Sequence, residues 1–316
     1  MNKLVYLFLL LAVTSSLSCK ADHPQPFQFD AAVPFGDPFI MLYDDVYYAY
    51  GTNAQDGIEV YTSDDLQGWT KSANLALDKK DSWGDQWFWA PEVYYIKEKN
   101  KFFMYYTANE HICVATADSP LGPFVQSEKK PIIESEKSID NSLFIDADGK
   151  PYLYFVRFND GSSVWVAELE SDLKTIKEST MKKCMNVSQE WETVWPRINE
   201  GPFVIKHNNL YYLTYSANSY ESPFYGVGFA TSTSPLGPWT KYASNPILQK
   251  PGDLVGVGHS AIFKDKSGKL RIVFHAHHSK ESIHPREMYI GEISFSDDTI
   301  PVMKVSDTII RATIKR

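Results

Sequence analysis

The sequence is poor in the features that mark most alternative architectures. Only three cysteines occur in 316 residues, too few for a disulfide scaffold, and no Cys/His spacing fits a zinc site. No apolar run is long enough to cross a bilayer as a helix, which takes about 20 residues. Segments with apolar residues at helical spacing are missing as well. Positive charge is outnumbered, 31 Lys and Arg against 39 Asp and Glu for a net charge of −8. Phosphate backbones and acidic polymers are therefore repelled, and nucleic acid is not an expected partner. Aromatics are in excess, with 8 Trp, 19 Tyr and 18 Phe. They favour pleated, half-buried surfaces and supply flat faces on which ligands stack.

Residues 1–18 read as an export signal of the lipoprotein type. Lys3 precedes an apolar run over 4–13, and Ser16-Leu17-Ser18 leads to Cys19, which would carry the lipid after cleavage. Residues 19–30, with Pro24 and Pro26, read as a tether, and 31–316 as a single domain. The expected location is the bacterial envelope, with the membrane reached only through Cys19 and the protein a monomer. Cys113, in the strand-like Ile112-Cys113-Val114-Ala115, reads as a buried, inert thiol.

Short runs dense in Val, Ile, Tyr, Phe and Thr, separated by Gly, Pro, Asp and Asn, indicate an all-β chain. A pattern of small or acidic residue, apolar strand, polar turn and Tyr-rich strand returns five times. The openings are Gly36-Asp37-Pro38, Ala90-Pro91-Glu92, Ile139-Asp140-Asn141, Glu200-Gly201-Pro202 and Gly258-His259-Ser260. Positions 37, 92, 140, 200 and 259 lie 55, 48, 60 and 59 residues apart. A second echo, Ser119-Pro120-Leu121-Gly122-Pro123 and Ser234-Pro235-Leu236-Gly237-Pro238, closes two of the units. Repeats of this size predict a five-bladed β-propeller, in which the innermost strands converge on one axis.

That convergence would gather Asp37, Asp140 and Glu200 around one pocket. Mutual repulsion and partial burial drive the pKa values of such carboxylates apart, which supplies an acid and a base. Inverting glycoside hydrolysis needs that division, one carboxyl protonating the leaving oxygen while another activates water. Trp87, Trp89 and Trp195 precede these openings and are candidates to stack on a sugar, whereas Phe88 reads as packing. Glu92 also opens a repeat. His275, His277 and His278 invite a zinc reading, but no carboxylate or cysteine completes the set.

The five openings, in this order and at these intervals, resemble glycoside hydrolase family 43, and the resemblance covers essentially the whole mature chain. It implies a five-bladed propeller with Asp37 as general base, Glu200 as general acid, and Asp140 tuning and orienting the acid. It further implies that Arg286 serves the substrate hydroxyls and the base. His259 would support the site, as a ligand of a calcium ion or of a water cluster in the central channel. No cofactor is required, and calcium enters only as a structural ion. The expected activity is inverting, exo-acting release of terminal sugars from neutral plant-type polysaccharide, foremost by an α-L-arabinofuranosidase. A β-xylosidase and a galactofuranosidase share the fold and the acids. A sugar-binding propeller without catalysis is the rival of another class.

Overall fold

A computed structural model describes residues 31–194 and 196–315, so the signal, the tether with Cys19, and Trp195 lie outside the described residues. Five antiparallel sheets follow one another along the chain. Blade 1 contains Gly36–Tyr43, Val46–Thr52, Gly57–Ser63 and Gly68–Lys71. Blade 2 contains Trp89–Ile96, Lys101–Ala108 and His111–Ala117. Blade 3 contains Ser138–Ile145, Pro151–Phe158, Ser162–Glu168 and Lys182–Met185. Blade 4 contains Asn199–His207, Leu210–Ala217, Gly226–Ser232 and Thr240–Lys241. Blade 5 contains Gly258–Lys264, Leu270–Ala276, Glu287–Phe295 and Met303–Arg311. The predicted five-bladed propeller is the observed fold. The circle closes where Thr313–Ile314 pairs in parallel with the outer strand of blade 1.

Blade-to-blade contact explains the tyrosine-rich second strands. Tyr50, Tyr105 and Tyr154 occupy the same register in blades 1 to 3, opposite Phe39, Glu92 and Ser142. Each is buried and donates its hydroxyl to a backbone carbonyl of the next blade, at Pro120, Leu173 and Pro235. Blade 4 uses Tyr212, two residues earlier on the same face, to reach Pro301 O. Between blades 5 and 1 the direction reverses, and Tyr47 Oη accepts from Lys266 N. A ring that buries its body and satisfies its hydroxyl contributes area plus about 1 kcal/mol of net hydrogen bonding. Pro120 and Pro235 come from the two Ser-Pro-Leu-Gly-Pro copies, so that echo marks the receiving half of a latch. Cys113 is buried, and among the described residues neither it nor Cys184 forms a disulfide.

Candidate active site

The inner strands share one local device. Their second residue, or the third in blade 3 and blade 4, has left-handed backbone: Asp37 at φ 48°, Ala90 at 45°, Asp140 at 56°, Gly201 at 56° and His259 at 47°. A register shift follows each of them, so each inner strand opens with a bulge that turns a side chain toward the axis. A bulged N–H loses its ladder partner and needs another acceptor. Every one finds it on the preceding blade. Ala90 N donates to Thr52 Oγ1 at 3.0 Å, Asp140 N to Thr107 Oγ1 at 3.3 Å, and His259 N to Ser216 Oγ at 2.7 Å. Asp37 N donates to His275 Nδ1 at 3.1 Å. At the equivalent place blade 3 carries Val156, which pairs with Ile139 and has no polar group; there Asp140 Oδ2 accepts from Gly201 N at 3.1 Å.

This ring corrects the repeat register. The second blade contributes Ala90, not Glu92, at the left-handed position, and the intervals become 53, 50, 61 and 58 residues. Glu92 sits two places further along its strand, opposite Tyr105, bonded to the Tyr94 hydroxyl. Burial pushes its carboxyl up to about 8, so it stands largely neutral away from the pocket.

Asp37, Trp89, Ile139, Asp140, Glu200, Tyr220, His259 and Arg286 line a pocket of about 240 Å³ on the axis. Wider hollows lie at the other mouth of the channel, walled by apolar inner-strand ends, and between blades 4 and 5. Neither gathers Asp37, Asp140 and Glu200. Arg286 grips Asp37 with both terminal nitrogens, at 2.7 Å to Oδ1 and 3.0 Å to Oδ2. Thr52 Oγ1 donates to Oδ2 at 2.7 Å, and His259 Nδ1 stands 3.2 Å from Oδ1. Burial alone would raise the Asp37 pKa, but Arg286 foremost, with His259 beside it, outweighs burial and holds the carboxyl well below the usual range. Gly36 is required beside it, since a Cβ there would fall 2.1 Å from the Arg286 guanidinium.

Glu200 has the opposite surroundings. Among the described residues its direct polar partner is the buried Tyr225, whose hydroxyl donates to Oε1 at 2.8 Å. Burial, only partly offset by that bond, pushes the acid up to about 7. Tyr225 stacks on His275 with centroids 5.6 Å apart, and a Cβ at Gly258 would lie 2.2 Å from its ring. Asp140 is also raised to about 7, by burial against the pull of His259 and with Glu200 and Asp37 adding repulsion. The pocket therefore holds one carboxyl kept ionised and two that bind protons near neutrality, the division that acid–base catalysis needs.

Of the aromatic candidates, Trp89 lines the pocket. Trp87 sits at the rim, 46% exposed, with its ring stacked on Trp89 at 5.8 Å, while Phe88 is buried. The three nominated histidines part company: His275 serves Asp37, His277 Nε2 meets Tyr220 O at 2.7 Å, and His278 Nδ1 meets Glu287 Oε1 at 2.9 Å. Among the described residues no group of three His, Cys, Asp or Glu side chains is placed to hold a metal. His259 alone offers one nitrogen, whereas calcium takes about 6–8 oxygen ligands. Thr52, Tyr220 and Tyr225 escaped the sequence reading, and so did the place of His275 beside Asp37. Thr52 and His275 share the register of Thr107 and Ser216, a column of polar residues late in the second strands that could have exposed them.

A propeller whose axis holds carboxyls of opposite proton affinity belongs, as a class, with the glycoside hydrolases. The profile described as "Glycosyl hydrolases family 43" matches residues 33–301, and the chain belongs to that family. It is 26% identical over 327 residues to the β-D-galactofuranosidase xynD of Aspergillus niger, covering 95% of this chain and 89% of that protein. It is also 26% identical over 293 residues to an arabinoxylan arabinofuranohydrolase of Paenibacillus polymyxa, of which it spans 44%, with 76% of this chain covered. A crystal structure described as an endo-1,4-β-xylanase of Bacteroides thetaiotaomicron shares 49% identity at a TM-score of 0.86, over 90% of this chain and 98% of that one.

Proposed function

We propose that this glycoside hydrolase is an inverting, exo-acting α-L-arabinofuranosidase. In this reading Asp37 takes a proton from the water that attacks the anomeric carbon, and Glu200 gives its proton to the departing glycosidic oxygen. Asp140 fixes Glu200 by accepting the N–H of the next residue, Gly201, and Arg286 keeps the base ionised while facing the sugar hydroxyls. Trp89 offers a face for stacking. The observation that carries the reading is the opposed state of two carboxyls in one small pocket, Asp37 held ionised and Glu200 raised to about 7. A cavity of about 240 Å³ suits one terminal sugar, which supports exo action. The two curated relatives described above are both named for furanosides, which supports a furanose.

Turnover of 4-nitrophenyl α-L-arabinofuranoside above that of the β-xyloside and β-galactofuranoside is the expected result, with the first anomer seen by NMR inverted. Retention, or no turnover of any of the three, would remove the proposal. A second reading, β-xylosidase, is favoured by the 49% identical structure described as a xylanase, and the same three substrates separate it. The lipid on Cys19, the envelope location, the monomer and the 31–316 domain boundary belong to this proposal as well.

A further inference from the structure

Blade 4 buries an ion pair outside the pocket. The Glu192 side chain is fully buried and that of Lys241 is 10% exposed, and among the described residues neither lines the catalytic cavity. Lys241 ends the outer strand Thr240–Lys241. Its ammonium donates to Glu192 Oε1 at 2.6 Å and Oε2 at 2.8 Å, to Asn186 O at 2.8 Å and to Asn199 Oδ1 at 2.9 Å. The carboxylate is equally engaged. Ser188 N and Gln189 N donate to Oε2 at 2.7 and 2.9 Å, and the buried Tyr215 hydroxyl donates to Oε1 at 2.6 Å.

Two ties lead from this pair to the acid. Asn199 is fully buried and precedes Glu200 in the inner strand, so Lys241 holds the side chain next to the acid. The segment 186–192 also reaches the phenol that bonds it. Buried Asn218 donates from its amide nitrogen to Trp191 O at 3.0 Å and to Phe224 O at 2.9 Å, and Phe224 precedes Tyr225. Glu200 and Tyr225 are thus each fixed one residue away from themselves, and both fixings run back to one buried charge pair. Stability alone does not account for such a pair, since apolar side chains of the same volume often pack as stably. Directed bonds fix position, and a misplacement of about 1 Å costs on the order of a hundredfold in rate.

We propose that Lys241 and Glu192 are positioning residues for the acid. They hold Glu200 and Tyr225 where a proton can pass to the departing oxygen, and they act through Asn199 and Asn218 without touching substrate. The inference rests on the proposed function for the role of Glu200. The test compares two leaving groups on whichever of the three sugars the parent turns over: 2,4-dinitrophenolate, which departs without a proton, and the hydroxyl of a second sugar unit, which needs one. Glu192→Gln, which keeps the size and one acceptor, is the main variant, and Lys241→Met removes the cation. In the full chain each should lower kcat on the disaccharide by about tenfold or more and on the dinitrophenyl glycoside by less than about threefold, with KM within about twofold of the parent. A merely structural role lowers the active fraction and depresses both substrates alike. Equal losses on the two substrates, or no loss on the disaccharide in Glu192→Gln, overturn the proposal, whether or not Lys241→Met folds. Glu200→Gln measured beside them keeps the two readings apart. Leaving-group dependence there but not in Glu192→Gln removes only the positioning role, whereas its absence in Glu200→Gln removes the acid assignment and the proposal with it.

Discussion

Asp37 and Glu200 stand in one pocket and are both withdrawn from water, yet their surroundings are nearly opposite. Around Asp37 the fold has assembled a bidentate guanidinium, a hydroxyl and two imidazoles; around Glu200, among the described residues, it supplies one phenol. Burial has the same sign for both and raises each carboxyl. The charged neighbours decide the outcome, keeping Asp37 ionised while Glu200 stays free to hold its proton near neutrality. Depth in the pocket therefore does not separate base from acid. The company each carboxyl keeps does.

The largest effects come from removing either side of that contrast. Asp37→Asn and Glu200→Gln should each lower kcat by roughly a hundred- to ten-thousand-fold, with ligand affinity kept in Glu200→Gln; steady-state kinetics beside a binding titration would show it. Arg286→Ala leaves Asp37 buried without its main counter-charge and should destabilise the fold by about 3–5 kcal/mol in denaturant unfolding. The same variant lifts the Asp37 pKa into the range where it titrates, so activity should gain an acidic limb that the parent lacks. A smaller stability effect follows from Glu200 itself. Its folded pKa of about 7 lies above the ordinary 4.5, so the folded state binds the extra proton between these values and stability falls as pH rises across that window. Glu200→Gln should therefore gain stability over the parent by roughly 1–3 kcal/mol above pH 7 and lose the advantage below pH 4.5, as thermal melts at pH 4 and pH 8 would reveal. Smallest is Tyr225→Phe. Its hydroxyl favours the ionised acid, and without it the alkaline limb of the rate profile should move up by roughly one unit.

Much of this contrast was legible in the sequence, and the part that was not has a physical cause. The five openings could be found because left-handed backbone is best tolerated by Gly, Asp, Asn and His, and four of the five left-handed residues, Asp37, Asp140, Gly201 and His259, are of those types. Ala90 is not, so the second blade gave no signal at its true position and Glu92, two residues on, stood in for it. The residues that set the protonation states were harder to see. Thr52 and His275 lie on second strands, and they reach the site because the preceding blade must cap the bulged N–H groups of the next. Tyr225 precedes Gly226–Ser232 in a loop, and Gly258 alone hints that something bulky packs there. Such partners are fixed by the closing of the ring, a property of the circle and not of any one repeat.

The division of labour in the pocket turns on the proton held by Glu200 and refused by Asp37. Carbon-13 NMR of the carboxyl-labelled enzyme measures it directly, with Glu200→Gln and Asp37→Asn providing the assignments. The resonance missing from Glu200→Gln should titrate near pH 7, and the one missing from Asp37→Asn should keep its ionised shift from pH 4 to pH 8. A Glu200 signal already ionised at pH 5, or an Asp37 signal that titrates within that range, would contradict it.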